Sequence, residues 1–257
     1  SKLERDYATT LNELGRNATT APLIRGLAHL ETFYLDKADT SIVILEEAIT
    51  YQGLRAITQA ECKLELGDAY LFTGNVWDSD LLYAQVDKSF KNDPIGQEAK
   101  FRRARLDYFR GNFSWSQAQL DVLKSATSQL IANDALSLSL LIQDNIDTDS
   151  TSYELLLYSA ADLLSYRNKN YEALHLLDSL QSKWPAHSII PHAIYKKAMI
   201  YDIKRNYTAE DTLLQEVAEN YPDGVLADDA LYKRGLLNEE RLNNKEKAKE
   251  LYESLLT

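Results

Sequence analysis

One short pattern occurs three times in this chain, and its spacing constrains the fold more than any other feature. The copies are Ala99-Lys-Phe101-Arg-Arg-Ala104, Ala193-Ile-Tyr195-Lys-Lys-Ala198 and Ala230-Leu-Tyr232-Lys-Arg-Gly235. Each copy has a small residue, any residue, an aromatic residue, two basic residues and a second small residue. The second and third copies lie 37 residues apart, and the same offset pairs Pro185 with Pro222. A repeat of this length, built from helix-forming residues, is typical of an α-helical solenoid.

Apolar residues recur at helical spacing along nearly the whole chain. Leu3, Tyr7, Leu11 and Leu14 form the first such set, and further sets follow in pairs separated by turn signals such as Gly74-Asn75 and Gly111-Asn112. No segment alternates in the manner of a strand. The sequence therefore predicts an all-α, right-handed superhelical solenoid of about fourteen helices, paired as about seven antiparallel hairpins.

The most polar connection in the chain is Asp144-Asn-Ile-Asp-Thr-Asp-Ser150. It divides the predicted solenoid into an N-terminal segment, 1–145, and a C-terminal segment, 150–257, and 144–150 is a candidate hinge between them. The chain does not begin with Met. We therefore expect it to be part of a longer protein.

The charge and cysteine content restrict the partners. The formal net charge is −11, so the phosphate backbone of a nucleic acid is an unfavourable partner. Cys62 is the only cysteine, which leaves no intramolecular disulfide and is compatible with either the cytosol or a periplasm. No apolar run approaches the ~18 residues of a membrane-spanning helix.

No pattern of catalytic or metal-binding residues is present. His187 and His192 are five residues apart across a proline, whereas a helical metal site needs two ligands at a spacing of four. Cys62 paired with His29 is a conceivable nucleophile, but a buried structural thiol is the favoured alternative. The sequence predicts no enzyme, no catalytic residue, no metal ligand and no cofactor.

The repeats resemble those of tetratricopeptide-repeat proteins over about residues 55–257. Ala173, Leu177, Leu180 and Pro185 match the family pattern of small, large, apolar and proline positions in register, and Leu66-Gly67 with Tyr70 match an earlier part of it. The unit from Tyr207 to Pro222 is one residue longer than the unit from Tyr171 to Pro185, so a register slip is expected there. The resemblance implies stacked helical hairpins that serve as a protein-binding scaffold.

The C-terminal half is similar to a narrower group. Trp184-Pro185 and Tyr221-Pro222 are each followed eight residues later by the small residue of the three-copy pattern. This combination is similar to that of bacterial outer-membrane assembly lipoproteins and the Tol–Pal-associated periplasmic coordinator, and the stretch 111–135 resembles repeat proteins of Bacteroidota. The resemblance implies a periplasmic or outer-membrane-associated protein, with a cytoplasmic adaptor as the alternative.

The candidate binding residues follow from the family's concave face. Sixteen tyrosines against six phenylalanines suit half-buried contacts and binding grooves alike. Ala104, Ala198 and Gly235 are set at the family's eighth position and Ala173 at its twentieth, which gives these candidates: Phe101, Tyr158, Asp162, Tyr166, Tyr195, Asp202, Tyr232 and Glu239. They predict an aromatic and acidic groove for a protein or peptide that carries Lys or Arg. Two alternatives stay open: the aromatics fill seams between repeats, or the chain is a glycan-binding helical-repeat module.

Overall fold

The predicted all-α helical-repeat fold is confirmed. The computed structural model describes residues 1–125, 128–146 and 152–255, which contain fourteen helices. The first seven are α1 (Lys2–Leu14), α2 (Ala21–Tyr34), α3 (Ala38–Ala48), α4 (Ala56–Thr73), α5 (Val76–Ser89), α6 (Pro94–Phe109) and α7 (Phe113–Leu123). The others are α8 (Gln129–Asn145), α9 (Tyr153–Tyr166), α10 (Asn170–Lys183), α11 (Ile190–Ile203), α12 (Tyr207–Asn220), α13 (Ala227–Glu240) and α14 (Lys245–Ser254).

Six pairs of helices are joined by turns of one geometry. In each turn a single residue adopts a positive φ: Asp36, Gly74, Gly111, Asn168, Arg205 and Asn243. The N–H of the next residue then donates to a carbonyl near the end of the first helix, as Asn75 does to Tyr70 at 2.7 Å. Gly, Asn and Asp tolerate this left-handed backbone best, and Arg205 is the exception among the six. The turns define the hairpins α2–α3, α4–α5, α6–α7, α9–α10, α11–α12 and α13–α14.

The two helices of each hairpin approach at one small residue. This small position holds Ala28, Gly67, Ala104, Ala161, Ala198 and Gly235, all buried, and a large position on the second helix holds Leu45, Tyr83, Leu120, Leu177, Leu214 and Tyr252. Where the large residue is Leu, the small residue is Ala. Where it is Tyr, the small residue is Gly, because a Cβ at Gly67 or Gly235 would overlap the ring of Tyr83 or Tyr252.

The basic pair of the three-copy pattern joins one hairpin to the preceding one. In two of the three copies the first basic residue reaches an Asp that directly follows the small position of the preceding first helix: Lys196 donates to Asp162 at 2.6 Å, and Arg102 donates to Asp68. The second reaches the preceding second helix, as Arg234 does at Asp211 (3.1 Å) and Arg103 at Asp80 (3.0 Å). The repeated pattern is therefore a set of ionic contacts between hairpins.

Three expectations about the arrangement need correction or restriction. Six hairpins of the common geometry lie within the described residues, and the connections on both sides of α8 run through residues outside them, so the expectation of about seven hairpins is restricted to these six. The register slip is wrong: Pro185 and Pro222 each lie 17 residues after their turn residue, Asn168 and Arg205, and Tyr171 and Tyr207 are simply not equivalent. Most of the candidate hinge 144–150 lies outside the described residues.

The chain divides into two compact units. The first comprises Ser1–Ile142 with Tyr166–Asn168, and the second comprises Gln143–Ser165 with Lys169–Thr257. In the first unit α3 packs on α4 and α5 on α6, and in the second α10 packs on α11 and α12 on α13. Each unit is thus a stack in which the second helix of one hairpin contacts the first helix of the next. None of the described helices combines the length and apolarity needed to cross a bilayer.

Glu210 of α12 stands at a position where the second helices of the other five hairpins carry a small residue. Five residues after the turn residue, the other hairpins carry a small side chain: Ser41, Ser79, Ser116, Ala173 and Ala248. The α12 copy instead has Glu210, which is 5% exposed and whose Oε2 has no hydrogen-bond partner. Burial, reinforced by Asp202 of α11, raises the pKa of Glu210 to about 7, against attraction from Lys233 and Arg241 of α13.

We predict that Gly235→Ala destabilises the second unit and that adding Tyr252→Leu restores it. The methyl group introduced at position 235 would overlap the ring of Tyr252, and overpacking of this kind costs about 1–3 kcal/mol. The double variant reproduces the Ala–Leu combination of four other hairpins. Thermal unfolding of both single variants and the double variant measures the coupling, and purely additive losses would contradict the proposed packing rule.

We predict a pH-dependent gain in stability from Glu210→Gln. The unfolded chain ionises Glu210 near its ordinary pKa of 4.5, whereas the folded chain ionises it near 7. The wild type therefore loses stability relative to the variant as the pH rises through this window, by about 2–4 kcal/mol, and the deficit is constant above it. Urea unfolding of wild type, Glu210→Gln and the exposed control Glu219→Gln across this window tests this, and parallel profiles would contradict it.

Candidate binding groove

Two adjoining cavities open along the first helices of the hairpins in the first unit. One has a volume of about 590 Å³ and is lined by α4, α6, the start of α8 and Arg25 of α2. The other has a volume of about 700 Å³ and is lined by α1, α2 and Glu65 of α4. Arg25 and Glu65 line both cavities. We call the two together the first-unit groove.

The first cavity combines aliphatic walls with charged side chains. Its aliphatic residues are Ile57, Leu64, Ile95 and Ile131. Its carboxylates are Glu61, Glu65, Asp93 and Glu98, against the two guanidinium groups of Arg25 and Arg102. Acidic groups therefore outnumber basic groups by four to two, which makes this cavity favourable for a cation that carries an apolar portion.

A buried ionic network supports the floor of this cavity. Arg102 donates to Asp68 and, at 2.9 Å, to Glu98, while the Tyr83 hydroxyl donates to Asp68 at 2.6 Å. Although burial opposes its charge, these carboxylates raise the pKa of Arg102, so the guanidinium stays charged. Arg102 is thus held in place by residues of its own unit, and it is a fixed part of the groove wall.

Glu65 lies at the junction of the two cavities. Its Oε1 is 2.9 Å from His29 Nδ1, and its side chain is 13% exposed. Burial and the nearby Asp68 raise the pKa of Glu65, and the bond to His29 opposes this. The wall of the second cavity around His29 is formed by Leu3, Tyr7, Leu30 and Tyr34. The junction of the cavities therefore holds a carboxylate whose burial is partly compensated by the bond to His29, beside an aromatic and aliphatic surface.

Two of the eight predicted site residues, Phe101 and Tyr166, belong to the first unit. Phe101 is half-buried and does not line either cavity, whereas the next residue, Arg102, does. The ring of Tyr166 packs against Phe33 and Phe109 and lies 5.1 Å from the Arg105 guanidinium. Burial raises the pKa of Tyr166, as expected for a ring enclosed by other side chains.

The other six predicted residues lie in the second unit, three of them at seams between hairpins. Tyr158 is 5% exposed and contacts His192 of α11 edge-on, so it fills a seam. Asp162 accepts the hydrogen bond from Lys196 across the same pair of helices. Tyr195 is half-buried, and burial, with Asp229 of α13, raises its pKa to about 12. The seam alternative therefore describes these positions better than an open face does.

The last three predicted residues are exposed. Tyr232 is 52% exposed and lies 6.2 Å from the Tyr252 ring, whose hydroxyl donates to Glu239 at 3.0 Å. Asp202 is also exposed. A partner-binding role for these side chains stays a prediction.

The groove carboxylates were missed by the sequence argument, although a signal for them exists. Glu61 and Glu98 each lie six residues before the small position of their helix, Gly67 and Ala104. That place belongs to the concave face in the family pattern, but it carries no aromatic side chain, so a selection by aromatic residues misses it.

The candidate catalytic groups have structural roles. Cys62 is fully buried, and burial raises the pKa of its thiol to about 11, which keeps it protonated. His29 is bonded to Glu65, and His187 accepts from the backbone N–H of Ile189 at 3.1 Å. Within residues 1–125, 128–146 and 152–255, no group of three His, Cys, Asp or Glu side chains is arranged to hold a metal ion.

One comparison with protein-family models matches the C-terminal end of the chain. A family model described as "Tetratricopeptide repeat" matches residues 229–257, which cover α13 from its third residue and all of α14. A solved tetratricopeptide repeat protein from Parabacteroides merdae is similar with a TM-score of 0.41 and 15% identity, over 98% of this chain and 84% of that chain. No curated protein shows significant similarity to this sequence.

We predict that two matched tyrosine substitutions in the second unit lower the melting temperature by very different amounts. Tyr158→Ala removes a buried ring and should cost about 3–5 kcal/mol, which lowers the melting temperature by more than about 8 °C. Tyr232→Ala removes a ring that is half in solvent and should leave the melting temperature almost unchanged. Calorimetry of both variants checks this, and equal losses would contradict the assignment of Tyr158 to a seam and Tyr232 to the surface.

Proposed function

We propose that this chain is a non-enzymatic protein-interaction scaffold and that the first-unit groove binds a polypeptide segment of its partner. The observation that supports this most directly is the pair of adjoining cavities, about 590 and 700 Å³, that follow the first helices of successive hairpins. Helical-repeat proteins present their binding surfaces in this way. An elongated groove of two adjoining cavities suits an extended peptide, which carries several side chains, better than it suits one small molecule.

The chemistry of the groove supports binding rather than catalysis. A nucleophile needs a lowered pKa or an adjacent base, and the Cys62 thiol is buried with a pKa raised to about 11. Among the exposed groove residues, His29 is the best candidate for a general base, but its Nδ1 is hydrogen-bonded to Glu65. The groove therefore offers positioning and charge, but no activated group for a substrate.

A glycan partner is a second candidate function, because two tryptophans are unexpectedly exposed. Trp77 and Trp115 stand in the first turns of α5 and α7 with exposures of 72% and 64%, and the Arg110 guanidinium lies 4.3 Å from the Trp77 ring. Exposed indole rings can stack on sugars as well as on protein side chains. A glycan array probed with wild type and with Trp77→Ala/Trp115→Ala tests this candidate, and an absence of tryptophan-dependent signals would eliminate it.

We also propose that the protein works in a bacterial cell envelope, in the periplasm or at the outer membrane. The support is the combination of Trp184-Pro185 and Tyr221-Pro222 with the small-aromatic pattern that follows each of them. Immunoblotting of separated cytoplasmic, periplasmic and membrane fractions tests this proposal, and a purely cytoplasmic signal would replace it with the adaptor alternative.

We predict that Ile57→Arg blocks peptide binding and that Val43→Arg does not. Ile57 lines the groove and is 41% exposed, whereas Val43 is 63% exposed on α3 and lines neither cavity. The methylene stem of an arginine at position 57 would fill the cavity, and its guanidinium would pair with the carboxylates that line it. For peptides selected from a random phage-displayed library on the wild-type chain, we expect affinity to fall about tenfold or more with Ile57→Arg only.

Fluorescence polarisation with the selected peptides measures these affinities. Equal binding by wild type, Ile57→Arg and Val43→Arg would place the binding surface elsewhere. Failure to select any peptide on the wild-type chain would contradict the proposed function itself.

A further inference from the structure

Three glutamates of two adjacent hairpins converge on one cavity of the first-unit groove. Glu61 and Glu98 occupy the same repeat position on α4 and α6, six residues before Gly67 and Ala104. Glu65 lies one helical turn after Glu61 on the same face of α4. All three line the cavity of about 590 Å³. The repeat therefore brings carboxylates from two first helices to one place.

The negative charge of this cavity exceeds what its own cations compensate. Arg25 approaches Glu61 at 3.8 Å, a loose pair in which both side chains are more than a third exposed. Arg102 is shared between Glu98 and the buried Asp68, so its charge already serves two carboxylates. Asp93, at the start of α6, adds a further exposed carboxylate. An incoming cation would find unneutralised acceptors here.

The walls of the same cavity are aliphatic. Ile57 and Leu64 of α4, Ile95 of α6 and Ile131 of α8 line it beside the glutamates. A Lys or Arg side chain has this combination of properties, since its methylene stem packs on apolar surface while its charged end stays with polar groups. A bare metal ion would use only the carboxylates, and a phosphate would be repelled by them.

We propose that the first-unit groove recognises a Lys or Arg side chain of the bound segment, with the cation among Glu61, Glu65 and Glu98 and the stem against the aliphatic wall. This inference rests on the proposed function, which places a polypeptide segment in the groove. It adds the residue type that the groove selects and the three side chains that select it.

The hairpins of the second unit do not repeat this arrangement. The position of Glu61 and Glu98 is occupied there by Leu155, His192 and Asp229. Leu155 is fully buried, and burial lowers the pKa of His192. The paired glutamates are therefore a property of α4 and α6 and not a requirement of hairpin packing, as expected for residues that determine specificity.

A positional-scanning peptide library tests the inference. The immobilised full chain is incubated with twelve-residue peptides that have one defined position and are otherwise degenerate, and the retained pool is sequenced. We expect Lys and Arg to be enriched at one or two positions, next to aliphatic residues, and the enrichment to fall as salt is added because the carboxylates are partly exposed. Replacing the selected Lys by norleucine keeps the stem and removes the charge, and should weaken binding about 3- to 10-fold.

Matched variants of the chain assign the effect to the named residues. Glu61→Gln/Glu98→Gln preserves side-chain shape and should abolish the preference for Lys and Arg. Glu13→Gln removes one negative charge at an exposed position of α1 outside both cavities, and should leave the preference intact. Melting temperatures of the variants verify folding, and the single variant Glu61→Gln replaces the double variant if the latter is unstable.

The outcomes separate this inference from the proposed function. Peptides retained without a preference for Lys or Arg, or bound equally well with norleucine, overturn the inference and leave the scaffold function standing. A preference that survives Glu61→Gln/Glu98→Gln overturns the assignment to this cavity. No retained peptide at all overturns both proposals.

Discussion

The close approach of two helices at one small residue is the contact on which the rest of the structure depends. In each hairpin a buried Gly or Ala of the first helix faces a Leu or Tyr of the second, and the sizes compensate: Gly67 with Tyr83, and Ala104 with Leu120. Helices this close need a short connection, and the left-handed turn residue provides it while its neighbour's N–H satisfies a carbonyl of the preceding helix. The groove residues Glu61 and Glu98 lie on another side of their helices, six residues before the small position.

Charged side chains connect each hairpin to the preceding one at several seams. Arg102 reaches back to Asp68 and Arg103 to Asp80, and in the second unit Lys196 and Arg234 make the corresponding contacts with Asp162 and Asp211. Because each partner lies at the equivalent position of its own repeat, these contacts suit one register between neighbours better than its alternatives. Arg102 also bonds Glu98, and with Arg25 it faces the four carboxylates of the 590 Å³ cavity.

The fold could be predicted from the sequence to a large extent, whereas the site could not. Helical spacing, turn glycines and the 37-residue offset indicated the all-α repeat fold, because these signals are local in the chain. The expected fourteen helices are present, and six hairpins with the common turn lie within the described residues, whereas the connections of α8 pass outside them. Phe101 was chosen over its neighbour Arg102, and one residue rotates a helical side chain by about 100°. Which of the two lines a cavity depends on α4 and α8, and the sequence pattern of α6 contains no information about them.

The repeat separates positions that build the stack from positions that can vary. The small position holds only Ala or Gly in all six hairpins, since any larger side chain would force the helices apart. Six residues earlier the same helices carry Pro22, Glu61, Glu98, Leu155, His192 and Asp229, which share neither size nor charge. A groove chemistry can therefore change at that position while the hairpin contact stays intact. Glu210 marks the opposite case, because a carboxylate at a packing position has no partner for its Oε2 and is driven towards its neutral form. Specific binding in such a chain is thus most readily encoded at a position whose residue type differs between hairpins, and the paired glutamates of α4 and α6 stand at that position.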